Sequence, residues 1–448
     1  MPTKSANPKS NTTHQAENLP PKPADALRVL HTSDWHIGKR LYQQPRYDEF
    51  AQFLTWLIDS INEHAVDVLI VAGDVFDTAT PSNKAQELYY QFLGNVAKSC
   101  CQHVIITAGN HDSPTFLDAP KDILRALNVQ VIGQAADDIF DEILVLRAPT
   151  KARTPQAIVL AVPYLRDKDV RKSARFERIG EKENEAAQGI YEHYHTLAAK
   201  ADELRRALQA EHGNEIPIIA TGHLFAAGAS ISAKDDGMRQ ETYVGTLGQI
   251  SAGVFAECLD YVALGHIHAP QKVAGQERIR YCGSPMAMGF GEAKKPKQVL
   301  LVDFIARTPH VHALPVPVFQ KLASISGDLP HIHAELDALI TAGERIYAEI
   351  IYTGETLCPE LVKLIHEQLD GSNVLALSIN NRTQYRHVLG NHALSDGTPM
   401  QNLQSLTPTD AFARLLTQKN ISDGETSELT TAYQAVLNAL QEADEQAE

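Results

Sequence analysis

The chain has 448 residues, of which 44% are apolar and 21% charged, and a formal net charge of −15. This is the composition of a globular protein with room for two or three domains of roughly 150 residues each, and no apolar run approaches the ~20 residues of a bilayer-crossing helix. The acidic balance argues against a simple electrostatic grip on nucleic acid, so any such role needs a local basic surface, metal ions or a partner.

Residues 1–26 are rich in Pro, Asn, Ser and Lys and contain no apolar core of a leader. They read as a disordered lead-in, not a signal peptide. Five cysteines with no CxxC spacing read as reduced thiols of a cytoplasmic protein, without structural zinc. Leu27 to Ser33 reads as the first strand, and Arg46 to His64 as a helix with apolar residues at i+3 and i+4. Val66 to Ala72 is a short β-branched run stopped by glycine, the pattern of a buried parallel strand. Pro81 opens the next helix, a position suited to a residue without an N–H, and Val104 to Ala108 is the third strand. This βαβαβ order implies a parallel sheet with right-handed crossovers.

After Pro114 a short helix is expected to Leu127, then β-like runs around Val129, Ile143 and Ile158. Glu181 to His212 reads as a long helix. Ile216 to Thr221 and Tyr261 to Leu264 are further strands, and Arg278 to Cys282, Val299 to Ile305 and Val311 to Leu314 read as outer strands closing the domain. The proline-broken stretch from Leu314 to Pro317 marks its boundary. Residues 316–380 alternate helix and strand as a small α+β module, and residues 381–448 read as a linker followed by an acidic tail. Two amphipathic pieces, around Phe412, Leu415 and Leu416 and around Leu429, Tyr433 and Val436, belong to that tail.

The chemistry gathers where strands end. Asp34 and His36 follow the first strand, Gly73-Asp74 and Asp77 the second, and Gly109-Asn110-His111-Asp112 the third. Gly222-His223 and Gly265-His266-Ile267-His268 follow the later apolar runs. In open α/β sheets this edge is where ligands bind. A donor set of Asp, Asn and His without thiolate suits Mn²⁺, Fe²⁺ or Zn²⁺, and open, near-octahedral sites favour Mn²⁺. Too many ligands are offered for one ion. Two ions ~3.5–4 Å apart would use them, clamp a phosphoryl group and activate a water at neutral pH. His31 lies inside its strand and reads as a core histidine, whereas Lys294-Lys295-Pro296-Lys297 reads as a solvated turn. No GxxxxGK[ST] occurs, so any ATPase engine would have to be on another chain.

Asp-x-His, Gly-Asp-x-x-Asp, Gly-Asn-His-Asp, Gly-His and Gly-His-x-His, in this order, resemble the calcineurin-like metallophosphoesterase superfamily. Longer stretches, His31 to Gly38, Val71 to Thr78, Ala108 to Ser113, Ala263 to His268 and Tyr281 to Pro285, resemble its bacterial SbcD family of nuclease subunits. The resemblance implies an α/β fold, a layered α/β/β/α sandwich over 27–315, with 316–380 as a capping domain and a helical partner-binding tail. One metal would be held by Asp34, His36, Asp74 and His268, and the second by Asp74, Asn110, His223 and His266, with Asp74 bridging. His111 would face the scissile phosphate, Asp77 would orient that histidine, and Asp112 would support the ligands. Implied too are two Mn²⁺ (Mg²⁺ or another divalent metal being possible), a homodimer within a heterotetramer, the ATPase partner SbcC, and DNA as substrate. The expected activity is double-strand exonuclease and single-strand or hairpin endonuclease in DNA repair, replication and recombination. The alternatives are a phosphomonoesterase or cyclic-nucleotide phosphodiesterase on the same ligands, and a non-catalytic scaffold that keeps them as structure.

Overall fold

The structure, a computed structural model, describes residues 19–150, 152–170, 179–227, 229, 250–383, 429 and 433. Its first half is the expected alternation: β1 (Leu27–Thr32), α1 (Tyr47–Glu63), β2 (Val68–Ala72), α2 (Asn83–Val96) and β3 (His103–Thr107). Two short helices, α3 (Pro114–Asp118) and α4 (Lys121–Arg125), stand where one was expected, with Pro120 between them, and β4 (Val129–Ile132) follows. Pro81 lies outside α2; the cap is Ser82, whose hydroxyl accepts from the Ala85 N–H.

The middle of the chain supplies β5 (Ile143–Arg147), β6 (Pro155–Leu160), α5 (Asp167–Val170), the long α6 (Ile179–His212), β7 (Ile218–His223), β8 (Tyr261–Gly265), β9 (Gln271–Val273) and β10 (Gln276–Tyr281). It closes with β11 (Gln298–Ile305) and β12 (Thr308–Pro315). One sheet runs β12-β11-β1-β2-β3-β4 and the other β5-β6-β7-β8-β10-β9. Strands β1 to β4 pair in parallel in the first sheet, as do β6, β7, β8 and β10 in the second. Of the expected closing strands, β11 is interior: it pairs antiparallel with both β1 and β12, and six of its eight residues are buried. Its consecutive apolar residues are explained by burial on both faces.

Side-chain alternation sorts the core into three layers. On β2, Leu69 and Val71 face helices α1 and α2 with Phe50, Leu57 and Phe92. Val68 and Ile70 face the other way, onto Val159, Ile219 and Ala263 of the second sheet. The far side of that sheet, with Ile218, Ala220, Val262 and Leu264, packs against Ile190, Tyr194 and Leu197 of α6. The result is a four-layered α/β/β/α sandwich. Buried Arg28 ties β1 to β11 by a two-pronged pair with Asp303, both N–O distances being 2.7 Å.

Residues 19–26, expected within the lead-in, are held against this body. The Lys22 ammonium pairs with Asp67 at 2.5 Å, and Leu19 packs on the outer core layer. After the sandwich come β13 (Lys321–Gly327), α7 (Leu329–Ala342), β14 (Ile346–Tyr352), α8 (Leu361–Leu369) and β15 (Val374–Asn381), with the three strands in the order β13-β14-β15. Compactness divides the protein into two units. The larger runs to Ile325 and takes in Leu336–Ile350 and Leu369–Ser378; the smaller holds Ser326–Glu335, Ile351–Gln368 and the described residues beyond Ile379. Of the two amphipathic tail pieces, only Leu429 and Tyr433, both helical, are among the described residues. No described helix is long and apolar enough to cross a membrane.

His31 is the core histidine that its position implies. It is fully buried, with Nδ1 3.0 Å from the Tyr261 hydroxyl and Nε2 3.2 Å from the Leu264 carbonyl. Burial pushes its imidazolium down from 6.5 to about 3, against a smaller opposing effect of the Leu264 carbonyl. The unfolded chain therefore binds the extra proton first. Stability present at neutral pH is lost as the pH falls below about 6.5, by up to about 1.4 kcal/mol per pH unit from this residue. Urea unfolding at pH 7, 6, 5 and 4 checks this: His31→Gln should flatten the fall relative to the unsubstituted chain, and parallel curves would exclude it.

Candidate metal centre

Five strand ends, from both sheets, meet at one rim. Backbone pairing runs on past the strands here: the Asp34 N–H donates to the Gly73 carbonyl, His36 N–H to Asp74 and Ile37 N–H to Val75, at 2.9 to 3.0 Å. Asp34, His36, Asp74 and His266 all have positive φ, between 49° and 96°. Four residues in the left-handed region, two of them histidines, amount to strain of order 1–3 kcal/mol each, concentrated where side chains are aimed inward. The two sheets also approach closely. A Cβ on Gly265 would lie 1.9 Å from the Ala72 carbonyl oxygen across the two sheets, and within the first sheet one on Gly109 would lie 2.1 Å from Asp74 Oδ1, so neither position admits a side chain.

Two groups of facing ligand atoms result, Asp34 with His36 and His268, and Asp74 with His223 and His266. Asp74 reaches both. Its Oδ2 is 3.1 Å from His223 Nε2 and 3.6 Å from His36 Nε2, while Oδ1 accepts the His111 N–H at 3.0 Å. Asn110 Oδ1 lies 3.0 Å from both His223 Nε2 and His266 Nδ1. The Asp34 carboxylate accepts the His266 N–H at 2.8 Å and the Ser33 hydroxyl.

The proton positions test whether this set suits a cation. His223 Nδ1 donates to the Ala72 carbonyl at 3.0 Å, which leaves Nε2 facing the oxygens of Asp74 and Asn110, a place that a proton or a cation can fill. His36 Nε2 and His268 Nε2 stand 3.1 Å apart. Behind them, His36 Nδ1 is 3.3 Å from Asp77 Oδ1 with no well-aligned hydrogen bond, and His268 Nδ1 is 3.8 Å from Glu292 Oε1. Carboxylates behind both rings favour Nδ1–H, which turns two Nε2 lone pairs toward one point. Donors at ~2.1 Å from an ion and at right angles to each other would be ~3.0 Å apart, so the spacing suits a shared cation. The donor atoms are nitrogen and oxygen alone, the choice of Mn²⁺, Fe²⁺, Zn²⁺ or Mg²⁺ rather than a soft metal.

Electrostatics agree. Burial would raise the Asp74 carboxyl, yet His223, His36 and His111 together hold it well below the usual carboxylate range. Burial opposes protonation of His223, but Asp74 raises it to about 9; His266, buried beside it, is lowered to about 3. This is a site that demands positive charge between its ligands.

Other expected residues take definite places. His111 Nδ1 is 2.9 Å from the backbone carbonyl of Asp77, not from its carboxylate, so the main chain sets this ring. The Asp77 carboxylate instead pairs with Lys39 at 3.0 Å and faces His36. His111, Asp77 and His36 also form a group of facing ligand atoms. Asp112 is buried and accepts from the N–H groups of Val75, Phe76 and Gly109 at 2.8 to 3.1 Å, stitching the second strand-end loop to the third. Lys297, expected in a solvated turn, is buried and ion-paired with Glu292 at 2.6 Å. Glu292 itself carries no signal in the sequence, since nothing in its local run distinguishes it from a turn carboxylate.

Residues 27–270 match the model of the calcineurin-like phosphoesterase family. Residues 318–420 match that of the type 5 capsule protein repressor C-terminal domain, SbcD_C. The fold is thus that of a calcineurin-like phosphoesterase. Among curated relatives, the SbcD subunit of the nuclease SbcCD from Escherichia coli (strain K12) is 34% identical over 92% of this chain and 98% of its own length. The SbcD subunits of Rhodobacter capsulatus and Bacillus subtilis are 35% and 28% identical, over 70% and 62% of this chain and 76% and 66% of theirs. The chain belongs to the SbcD family, a phosphodiester hydrolase of the nuclease kind that uses divalent metal ions.

If Asp112 holds the loops as described, Asp112→Asn leaves one oxygen for three N–H donors and sets its own NH₂ against them. The expected loss is about 2–3 kcal/mol of stability, with cation affinity reduced as the loops part. Denaturant unfolding and calorimetric metal titration read both. A variant as stable as the parent would remove the stitching role.

Proposed function

We propose that the chain is a DNA nuclease subunit working with two divalent cations, Mn²⁺ foremost, and with the ATPase subunit SbcC. The reading extends to exonucleolytic action at duplex ends and endonucleolytic action on single strands and hairpins, in DNA end processing, replication and recombination. It includes a cytoplasmic setting and a homodimer of this chain within a heterotetramer, with α1 and α2 as its faces. Residues 27–315 would be the nuclease body, 316–380 the cap, and 381–448 the linker and partner-binding tail. The family's relatives, named as subunits of SbcCD, support the partner.

The single observation that carries the two-cation reading is the Asp74 Oδ2 atom, within 3.6 Å of a histidine nitrogen in each ligand group. Asp34, His36, Asp74 and His268 would hold one cation, and Asp74, Asn110, His223 and His266 the other. When bound, the cations would neutralise the phosphodiester's charge and make a water acidic enough to attack at neutral pH. His111, with Nδ1 committed to the Asp77 carbonyl, would as imidazolium carry its second proton on Nε2 for the leaving oxygen. Lys39 and the Asp77 carboxylate would keep His36 facing inward.

The deciding experiment is Mn²⁺-dependent digestion of end-labelled duplex and hairpin DNA by the protein copurified with SbcC, beside hydrolysis of p-nitrophenyl phosphate. Hydrolysis of the small ester alone, even with the ATPase present, would favour a phosphomonoesterase. His111→Ala is expected to keep cation binding and lose about 10²–10⁴-fold in cleavage rate; unchanged turnover would remove its role. Asp74→Asn is expected to weaken both cations together, and a calorimetric titration showing both binding events intact would exclude the shared carboxylate.

A further inference from the structure

Between β10 and β11 the chain crosses behind His268 and builds a buried polar cluster that the reaction as described does not use. Glu292, Lys297 and Ser284 are at most 9% exposed. The Lys297 ammonium bonds Glu292 Oε2 at 2.6 Å, the Ser284 hydroxyl at 2.8 Å and the His268 carbonyl at 3.4 Å. The same carboxylate oxygen accepts the Met288 N–H at 3.0 Å, while Oε1 faces His268 Nδ1 at 3.8 Å. The main chain of His268 is gripped too. Its carbonyl accepts the Ser284 N–H at 3.2 Å, and a Cβ on Gly283 would approach that oxygen to 2.7 Å.

Burying an ammonium and a carboxylate together is costly in desolvation, and on stability grounds an apolar pair of like volume serves as well. Such a pair is explained when one of its members is aimed at something else. Here Lys297 takes Oε2, and the remaining oxygen is directed at the back of a histidine whose front nitrogen lies 3.1 Å from that of His36. A carboxylate behind a ligating imidazole holds the proton on the rear nitrogen, fixes ring rotation and makes the front nitrogen a better donor.

We propose that Glu292, anchored by Lys297, is the positioning residue of His268: it holds the ring in the Nδ1–H form and directs Nε2 at the cation shared with Asp34 and His36. His36 has Asp77 in the corresponding place, so the two facing rings of this half-site are backed by one carboxylate each. Glu292 touches neither substrate nor cation and acts only through the histidine. It thereby gives one of the two cation positions a support that His223, bonded through Nδ1 to a backbone carbonyl, does not have.

The inference rests on the two-cation reading of His268, and its test separates the two. Metal-free, full-length protein is titrated with Mn²⁺ by calorimetry as the parent chain, Glu292→Gln and Glu292→Asp, with thermal melting of each metal-free protein alongside. A parent chain that takes up no Mn²⁺ overturns the metal reading itself. With the parent binding, Glu292→Gln is expected to weaken one binding event about 10- to 100-fold while the other stays within about twofold. Glu292→Asp keeps the charge and the pairing with Lys297 but withdraws the carboxylate from the ring. It is expected to fold like the parent and to show the same selective loss at smaller size, so it decides the matter even where the Gln form fails to fold. A purely structural cluster would lower the melting temperature and leave both binding events at parental affinity; that result, or equal weakening of both events, overturns the role assigned to Glu292.

Discussion

The molecule depends on bringing the carboxyl ends of the parallel strands of two sheets to one rim while the faces of the sheets stay in contact. Apolar residues such as Ile70, Ile105, Val159 and Ile219 supply the contact layer between the sheets. At the rim that layer gives way to polar atoms, and the spacing is set by backbone: Gly265 lies where any Cβ would strike the Ala72 carbonyl, and His223 Nδ1 bonds that same oxygen. A larger residue at Gly265 would pry the sheets apart just where the ligands from each must meet. Hydrophobic burial holds the layers and is indifferent to ångström-scale sliding. The carbonyl and imidazole contacts remove that freedom.

Once the rim is closed, its electrostatics follow from burial. Asp34 and Asp74 are nearly inaccessible, as are His36 and His223. A carboxylate in such a place is tolerated only when opposite charge or hydrogen-bond donors face it. Donors come from main-chain N–H groups at Asp34 and Asp74 and from the Ser33 hydroxyl at Asp34, and the rest of the compensation must be cationic. Asp112 shows the opposite choice. It is as buried as the ligands, and its carboxyl is pushed up to about 6 by burial and by the nearby Asp74 charge, yet it spends both oxygens on backbone N–H groups. One carboxylate spends both oxygens on loops; the others keep an oxygen facing the histidines of the rim.

The overall charge of −15 sits awkwardly with a nucleic-acid substrate. The physical answer is locality. A phosphodiester approaching the rim would meet bound cations first, and at physiological salt the acidic residues beyond ~8 Å would be largely screened. Two lysines near the site are themselves engaged, Lys39 with Asp77 and Lys297 with Glu292.

Reading residues in order was enough to recover the strands that end in Asp, Asn or His, because those runs are short and largely apolar, most are closed by glycine, and a run buried on both faces leaves a continuous apolar signature. The donor types were equally legible, since metal chemistry depends on residue identity and the motifs keep each donor within a few positions of its strand. What the order of residues left open was everything decided by approach in space. Val299 to Ile305 reads as a closing strand, but its place beside β1 follows from Arg28 pairing with Asp303, far along the chain. Lys297 reads as solvated because neighbouring lysines are, yet the fold buries it against Glu292 and His268. Asp77 reads as the orienting carboxylate of His111, whereas the turn presents its carbonyl there and its carboxylate to His36 and Lys39. Local pattern determined which residues end the strands and what they can bind. Only the packing of two sheets, through contacts between residues hundreds of positions apart, decided which of these atoms face one another across the rim and which hold them there.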